Sequence, residues 1–144
     1  MFDELKKYKN QDHFFFSAEQ ELSKVCNAPK DRSGVYIVYE LKKGRVELVY
    51  IGCSGKVQND GSIKHRSSGG GGLYGRIVNG KQFGNIRKKS WKQKLIVEKI
   101  EAIDVYWYDT FNSPLKHIPA FVEATIIQLY YKQNKCLPRW NVKF

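Results

Sequence analysis

Two apolar runs in the first third of the chain, Gly34-Val-Tyr-Ile-Val-Tyr39 and Val46-Glu-Leu-Val-Tyr-Ile51, are rich in β-branched and aromatic side chains. Lys42-Lys43-Gly44 separates them, so the pattern predicts a β-hairpin with a three-residue loop and Gly44 in its left-handed position. That loop sets Leu41 opposite Arg45 and Tyr36 opposite Tyr50, with both phenols on one face. A slip of one residue would separate them. Ile103 to Tyr108 reads as a third strand. From Pro119 to about Gln133 the spacing is helical: Val122, Ile126, Ile127, Leu129 and Tyr130 share a face, and Glu123 sits within it. Ser17-Ala-Glu-Gln20 has the form of a capping box and predicts a short helix from Ala18 to about Cys26. Ser62 to Ser67 reads as the start of another, and Gly69 to Gly84 as a mobile glycine-rich excursion. Ser90 to Glu101 suits helix or strand, with helix preferred, and Leu137 to Phe144 is an extended aromatic tail.

Strands and helices mixed in 144 residues predict one α/β (α+β) domain, a small antiparallel sheet flanked by helices. The 42% hydrophobic content supplies a core. The longest apolar runs are far short of the roughly 20 residues that cross a bilayer. The N-terminus mixes acids and bases without a signal-like apolar stretch, so the expectation is an intracellular, cytoplasmic protein. Cys26, Cys53 and Cys136 form no C-x-x-C pair, which argues against a disulfide framework and a zinc site.

Charge sharpens the picture. The net charge is +11, and residues 61–97 hold nine of the 25 bases and no Asp or Glu. Those bases are Lys64, Arg66, Arg76, Lys81, Arg87, Lys88, Lys89, Lys92 and Lys94, interleaved with His65, Tyr74, Phe83 and Trp91. An acid-free basic run beside glycines and aromatics points to a polyanion, with nucleic acid the natural partner.

Glu123 on an apolar helix face needs a cation, hydrogen bonds or a metal ion, unless it serves only the helix N-terminal dipole. Two tyrosines on one sheet face, an inward carboxylate and a basic segment are parts that phosphodiester cleavage uses. Gly34-Val35-Tyr36 followed by Tyr50-Ile51-Gly52 resembles the signature hairpin of the GIY-YIG nuclease superfamily. Ser62-Ile-Lys-His-Arg66, Glu123 in a late helix and Asn141 in a Pro-x-x-Asn tail resemble its further landmarks, so the likeness runs from about residue 33 to 142. The resemblance implies a 33–144 nuclease domain that cuts DNA with Mg2+ or Mn2+; the basic glycine-rich stretch at about 67–94 reads as an insertion that departs from the family, and residues 1–32 as an N-terminal helical extension outside it. It implies Glu123 as metal ligand, Tyr36 and Tyr50 flanking the attacked phosphate, with Tyr36 favoured as proton acceptor, and Asn141 as an anchor. Arg66 would bind the phosphate, favoured over Arg76 by an expected helix. Val35 stands where the family has Ile, and the stretch from Gly52 to Arg66 is long for it. Lys64, Arg76, Lys81, Arg87, Lys88, Lys89 and Lys92 are the expected DNA contacts.

Other motifs carry less. Gly70, Gly72 and Gly75 satisfy G-x-G-x-x-G, but no strand precedes them, and no P-loop or G-x-S-x-G is present. His13, His65 and His117 lack metal-ligand spacing. Two functions remain: an endonuclease of restriction or mobile-element type, or a nucleic-acid-binding module on the same fold that does not cut. Cutting both strands with one site per chain needs two successive nicks or a transient homodimer on DNA.

Overall fold

A computed structural model describes residues 2–144. In chain order the elements are a 3-10 turn (Asp3–Lys7), β1 (Gln11–Phe16), α1 (Leu22–Val25), β2 (Gly34–Lys42), β3 (Arg45–Ser54), β4 (Lys56–Val57), β5 (Ile63–Lys64), α2 (Gly72–Asn79), β6 (Lys81–Gln82), β7 (Asn85–Ile86), α3 (Arg87–Glu98), β8 (Ala102–Asp109), β9 (Phe111–Asn112), β10 (Leu115–Lys116) and α4 (Pro119–Asn134). The fold is mixed α and β, around a four-stranded antiparallel sheet ordered β1-β8-β2-β3. Among the described residues no helix is long and apolar enough to cross a membrane.

Alternation along β2 builds two cores. Tyr36 and Val38 face Phe14, Phe16, Val105, Leu73, Ile77, Trp91 and Leu95, so α2 and α3 cover that side. Val35 and Ile37 face the other way, against Leu5, Tyr8, Ile51, Val122, Ile126 and Ile127, beneath α4 and the N-terminal turn. A sheet buried on both faces explains why the hairpin strands read as near-continuous apolar runs rather than clean alternation.

The hairpin register differs from the sequence expectation. The turn has two central residues, Lys43 and Gly44, both at positive φ (52° and 72°), and Lys42 pairs with Arg45. This turn geometry matches the natural strand twist better than a longer loop. It shifts the pairing by one residue, and a bulge then shifts it again: Tyr39 pairs with Leu48 but Val38 pairs with Tyr50, leaving Val49 as the extra residue. Tyr36 therefore lies opposite Gly52 rather than Tyr50, yet two shifts restore the parity and return both phenols to one face.

Three other expectations change. Among the described residues, 2–32 are not a helical extension; they supply β1, whose Phe14 and Phe16 complete the first core, while the helix expected over 18–26 is reduced to Leu22–Val25. Gln20 does reach back, its Oε1 accepting from the Ser17 amide at 2.8 Å, but the turn does not propagate. Ser62–Ser67 is not helical: Asp60 Oδ1 accepts from the Ser62 amide and hydroxyl, closing a turn that pairs β5 with β4. The glycine-rich excursion contains helix α2, whose Leu73 and Tyr74 amides donate to the Arg32 and Pro29 carbonyls, and then strand β6. The 27–33 linker thus caps α2, and a Cβ at Gly72 would come within 2.5 Å of the Lys30 oxygen.

Because β1 is integral to the sheet, Phe16→Ala is expected to cost about 3–5 kcal/mol, read as a lowered midpoint in urea denaturation. A separable extension would leave the midpoint unchanged.

Candidate functional site

The bulge brings the Tyr36 and Tyr50 rings to 6.0 Å between centroids. Tyr36 is 1% exposed and Tyr50 half-buried. Space for both comes from Gly52, where a Cβ would lie 2.6 Å from the Tyr36 Oη and 2.8 Å from Tyr50 Cε2. Burial pushes the Tyr36 phenol well above its ordinary range, while the Arg87 charge pulls it back. Desolvation on that scale keeps Tyr36 a neutral donor and works against the proton-acceptor role expected for it.

Asn141 secures the neighbouring edge. Its Oδ1 accepts from the Ile51 amide and its Nδ2 donates to the Ile51 carbonyl, both at 3.0 Å, while the Trp140 amide donates to Val49 O at 2.8 Å. The tail thereby satisfies outward-facing groups of edge strand β3 around the bulge, each bond contributing about 1 kcal/mol.

Glu123, in the second turn of α4, stands half-buried beside the end of β3. Its Oε1 accepts from the Cys53 thiol at 3.3 Å. Burial raises the carboxyl, with the Cys53 hydrogen bond and the Arg76 charge opposing. The same burial, reinforced by Glu123, pushes the Cys53 thiol up to about 12, so Cys53 stays protonated and serves as a donor. Among the described residues no three His, Cys, Asp or Glu side chains gather as a metal cage. One partly desolvated carboxylate still fits Mg2+, which is commonly held by one or two carboxylates with waters and phosphate oxygens supplying the rest. Glu123 is the residue that would hold it.

A groove of about 400 Å³ opens where β3 ends, lined by Cys53, Ser54, Lys56, Lys64, His65, Arg66 and Arg76 among others. Ser33, fully buried, fixes His65 through a 2.7 Å contact between its Oγ and Nδ1. Arg66 has a buried Nε without a partner, and burial followed by the Arg76 and Arg87 charges holds its guanidinium below the ordinary arginine value. Arg66, Arg76 and Arg87 make no ion pair among the described residues. Three neighbouring cations without a direct ion pair make this end of the sheet locally positive. Arg66 lies in coil after β5, whereas Arg76 lies on α2, so the helix that favoured Arg66 belongs to Arg76 instead. The Arg76 charge reaches Tyr36, Cys53 and Glu123.

Arg87 is the largest departure among the basic residues. Expected as an exposed DNA contact, it is 3% exposed, opening α3 against the two tyrosines. Its position in a run of lysines concealed this, although Trp91 four residues on marks the same helix face as inward. Lys64, Lys81, Lys88 and Lys89 remain exposed, Arg76 also, and Lys92 is half-covered. Lys94 pairs with Glu98 at 2.6 Å.

The chain matches no protein-family model, no curated protein and no solved structure.

A raised carboxyl favours the protonated folded state, so ionised Glu123 costs stability at neutral pH and that cost disappears as pH falls through its folded pKa and below the unfolded value. Glu123→Gln is accordingly expected to raise the melting temperature at pH 7 and to lose that advantage below about pH 4, measured by thermal denaturation across pH. Gly52→Ala is expected to displace both phenols while the sheet persists, visible as altered near-ultraviolet circular dichroism with an unchanged far-ultraviolet spectrum.

Proposed function

We propose that the chain is a divalent-metal-dependent DNA endonuclease hydrolysing phosphodiester bonds. The observation that carries this reading is the cluster of Arg66, Arg76 and Arg87, none of them in an ion pair among the described residues, set against the paired phenols of Tyr36 and Tyr50. Such a cluster has the charge for a phosphate and, in a partly desolvated groove, stabilises the extra charge of its transition state. Arg76 is the phosphate ligand in this reading, exposed on α2 and facing the groove shared with Arg66 and Lys64. The neutral Tyr36 donates a hydrogen bond, Tyr50 exchanges a proton with the reacting group, and Glu123 faces the same region from α4. When bound there, Mg2+ or Mn2+ supplies charge that polarises the phosphate.

Flanking DNA backbone is held by the exposed Lys81, Lys88 and Lys89, with Lys92 at their margin. A binding module that does not cut would use the same cations but leaves a desolvated carboxylate beside them without a purpose.

The test is supercoiled plasmid incubated with Mg2+, Mn2+ or EDTA. Nicked circles are expected with metal, preceding linear product if one chain acts at a time. Glu123→Gln and Arg76→Ala each should lower the rate by at least about a hundredfold, and Arg66→Ala less. Glu123→Gln should leave DNA affinity nearly intact; tight binding without cleavage by the wild type would establish the binding module. Neutralising Lys81, Lys88 and Lys89 should weaken binding uniformly across sequences and reduce the logarithmic salt slope by about 0.9 per lost phosphate contact.

A further inference from the structure

Arg87 does something that neither a DNA-backbone contact nor an ordinary structural arginine does. At 3% exposure it has no carboxylate partner among the described residues. A buried cation without a counter-ion is costly, and the usual remedy is an acid. Here three neutral acceptors take its donors: Nη1 donates to the Arg76 carbonyl at 2.7 Å, Nε to Gln82 Oε1 at 3.0 Å, and Nη2 to the Tyr50 hydroxyl at 3.3 Å. Aromatic faces supply the rest, with the guanidinium carbon 5.4 Å from the Tyr36 ring, 5.3 Å from Tyr50 and 5.4 Å from Trp91. Gln82 is itself fixed, its Oε1 also accepting from Trp91 Nε1 at 2.8 Å. The guanidinium therefore cannot swing.

Of its three hydrogen-bond acceptors, a peptide carbonyl and an amide cannot acquire a charge, and the phenol oxygen can. We propose that Arg87 is a positioning residue that sets Tyr50 for proton exchange. By donating to Oη it turns the hydroxyl's own proton away from α3, and it stands ready as the counter-ion for negative charge arising on that oxygen. Tyr50, rather than the enclosed Tyr36, is thereby the phenol that exchanges a proton. This rests on the endonuclease reading for its consequence, and on the protein's own geometry for its contact. The bond from Arg87 to the Arg76 carbonyl also ties the guanidinium to the backbone of α2.

The experiment has a spectroscopic arm that needs no cleavage. In protein carrying 13Cζ-labelled tyrosine, the Tyr50 signal, assigned by its loss in Tyr50→Phe, is expected to move in Arg87→Gln while the remote Tyr130 and Tyr106 signals stay in place. Should Arg87→Gln fail to fold, the 15N guanidinium signals of Arg87 are compared in wild type and Tyr50→Phe, where loss of the acceptor should shift Nη2. An unmoved Tyr50 signal, or an Arg87 signal indifferent to Tyr50→Phe, overturns the proposal. In single-turnover cleavage, Arg87→Gln and Tyr50→Phe should each lose about 10²- to 10³-fold in rate with affinity nearly unchanged, and the double variant no more than the worse single. Arg87→Lys should recover part of the loss, because it keeps the charge and loses the fork. Multiplicative losses would show that Arg87 acts independently of Tyr50 and overturn the proposal. A wild type that does not cleave but shows the Tyr50 shift removes the nuclease reading and leaves the contact standing.

Discussion

One extra residue in β3 governs where the chemistry-bearing side chains can be. Strand side chains alternate, and a two-residue turn after Lys42 would by itself put Tyr36 and Tyr50 on opposite faces. Val49 is bulged, so Val49 and Tyr50 both turn toward the core shared with Tyr36, and Leu48 and Ile51 toward the other. The bulge is held from outside, because Trp140 and Asn141 bond the outward backbone groups of Val49 and Ile51. The tail is thus a brace for the hairpin as well as a cover for its edge.

Around that hairpin the electrostatics are unbalanced. Several buried or half-buried carboxylates elsewhere are paired: Glu40 and Glu98 with Arg139, Glu98 also with Lys94, Asp109 with Arg32. Among the described residues the arginines of the groove make no ion pair, and Glu123 accepts from a neutral thiol. Across the end of β3 the Arg76 charge acts on Glu123 without a direct ion pair between them.

The hairpin, the third strand and the late helix with Glu123 facing inward are legible in the sequence, because each is a local pattern of period two or 3.6 or a turn signal, whereas Asn141 is marked only by the family resemblance. The exact register is not legible. Lys43 adopting a left-handed conformation beside Gly44 is a choice of turn that composition alone leaves open, and nothing local to Val49 marks it as bulged. The first strand is not legible locally, because Gln11-Asp-His-Phe-Phe-Phe16 owes its extended form to pairing with β8, distant in the chain. Choosing Arg66 over Arg76 failed on its helix premise for a similar reason: α2 starts among glycines that discourage helix, and it is capped by carbonyls from Pro29 and Arg32 rather than by a side chain of its own.

By itself the sequence determined an α/β domain with a β-hairpin, a strongly basic acid-free segment, and the cast of tyrosines, arginines, one inward glutamate and one terminal asparagine. Charge and periodicity are additive along the chain, so they can be read residue by residue. Only the tertiary structure decided that Arg87 is buried against Tyr50 while its lysine neighbours stay in water, and that Arg76 rather than Arg66 projects from a helix. It also decided that two register shifts cancel to unite the phenols. Each of those outcomes depends on which distant groups are available to satisfy a buried donor or fill a face, and that availability exists only once the chain has folded.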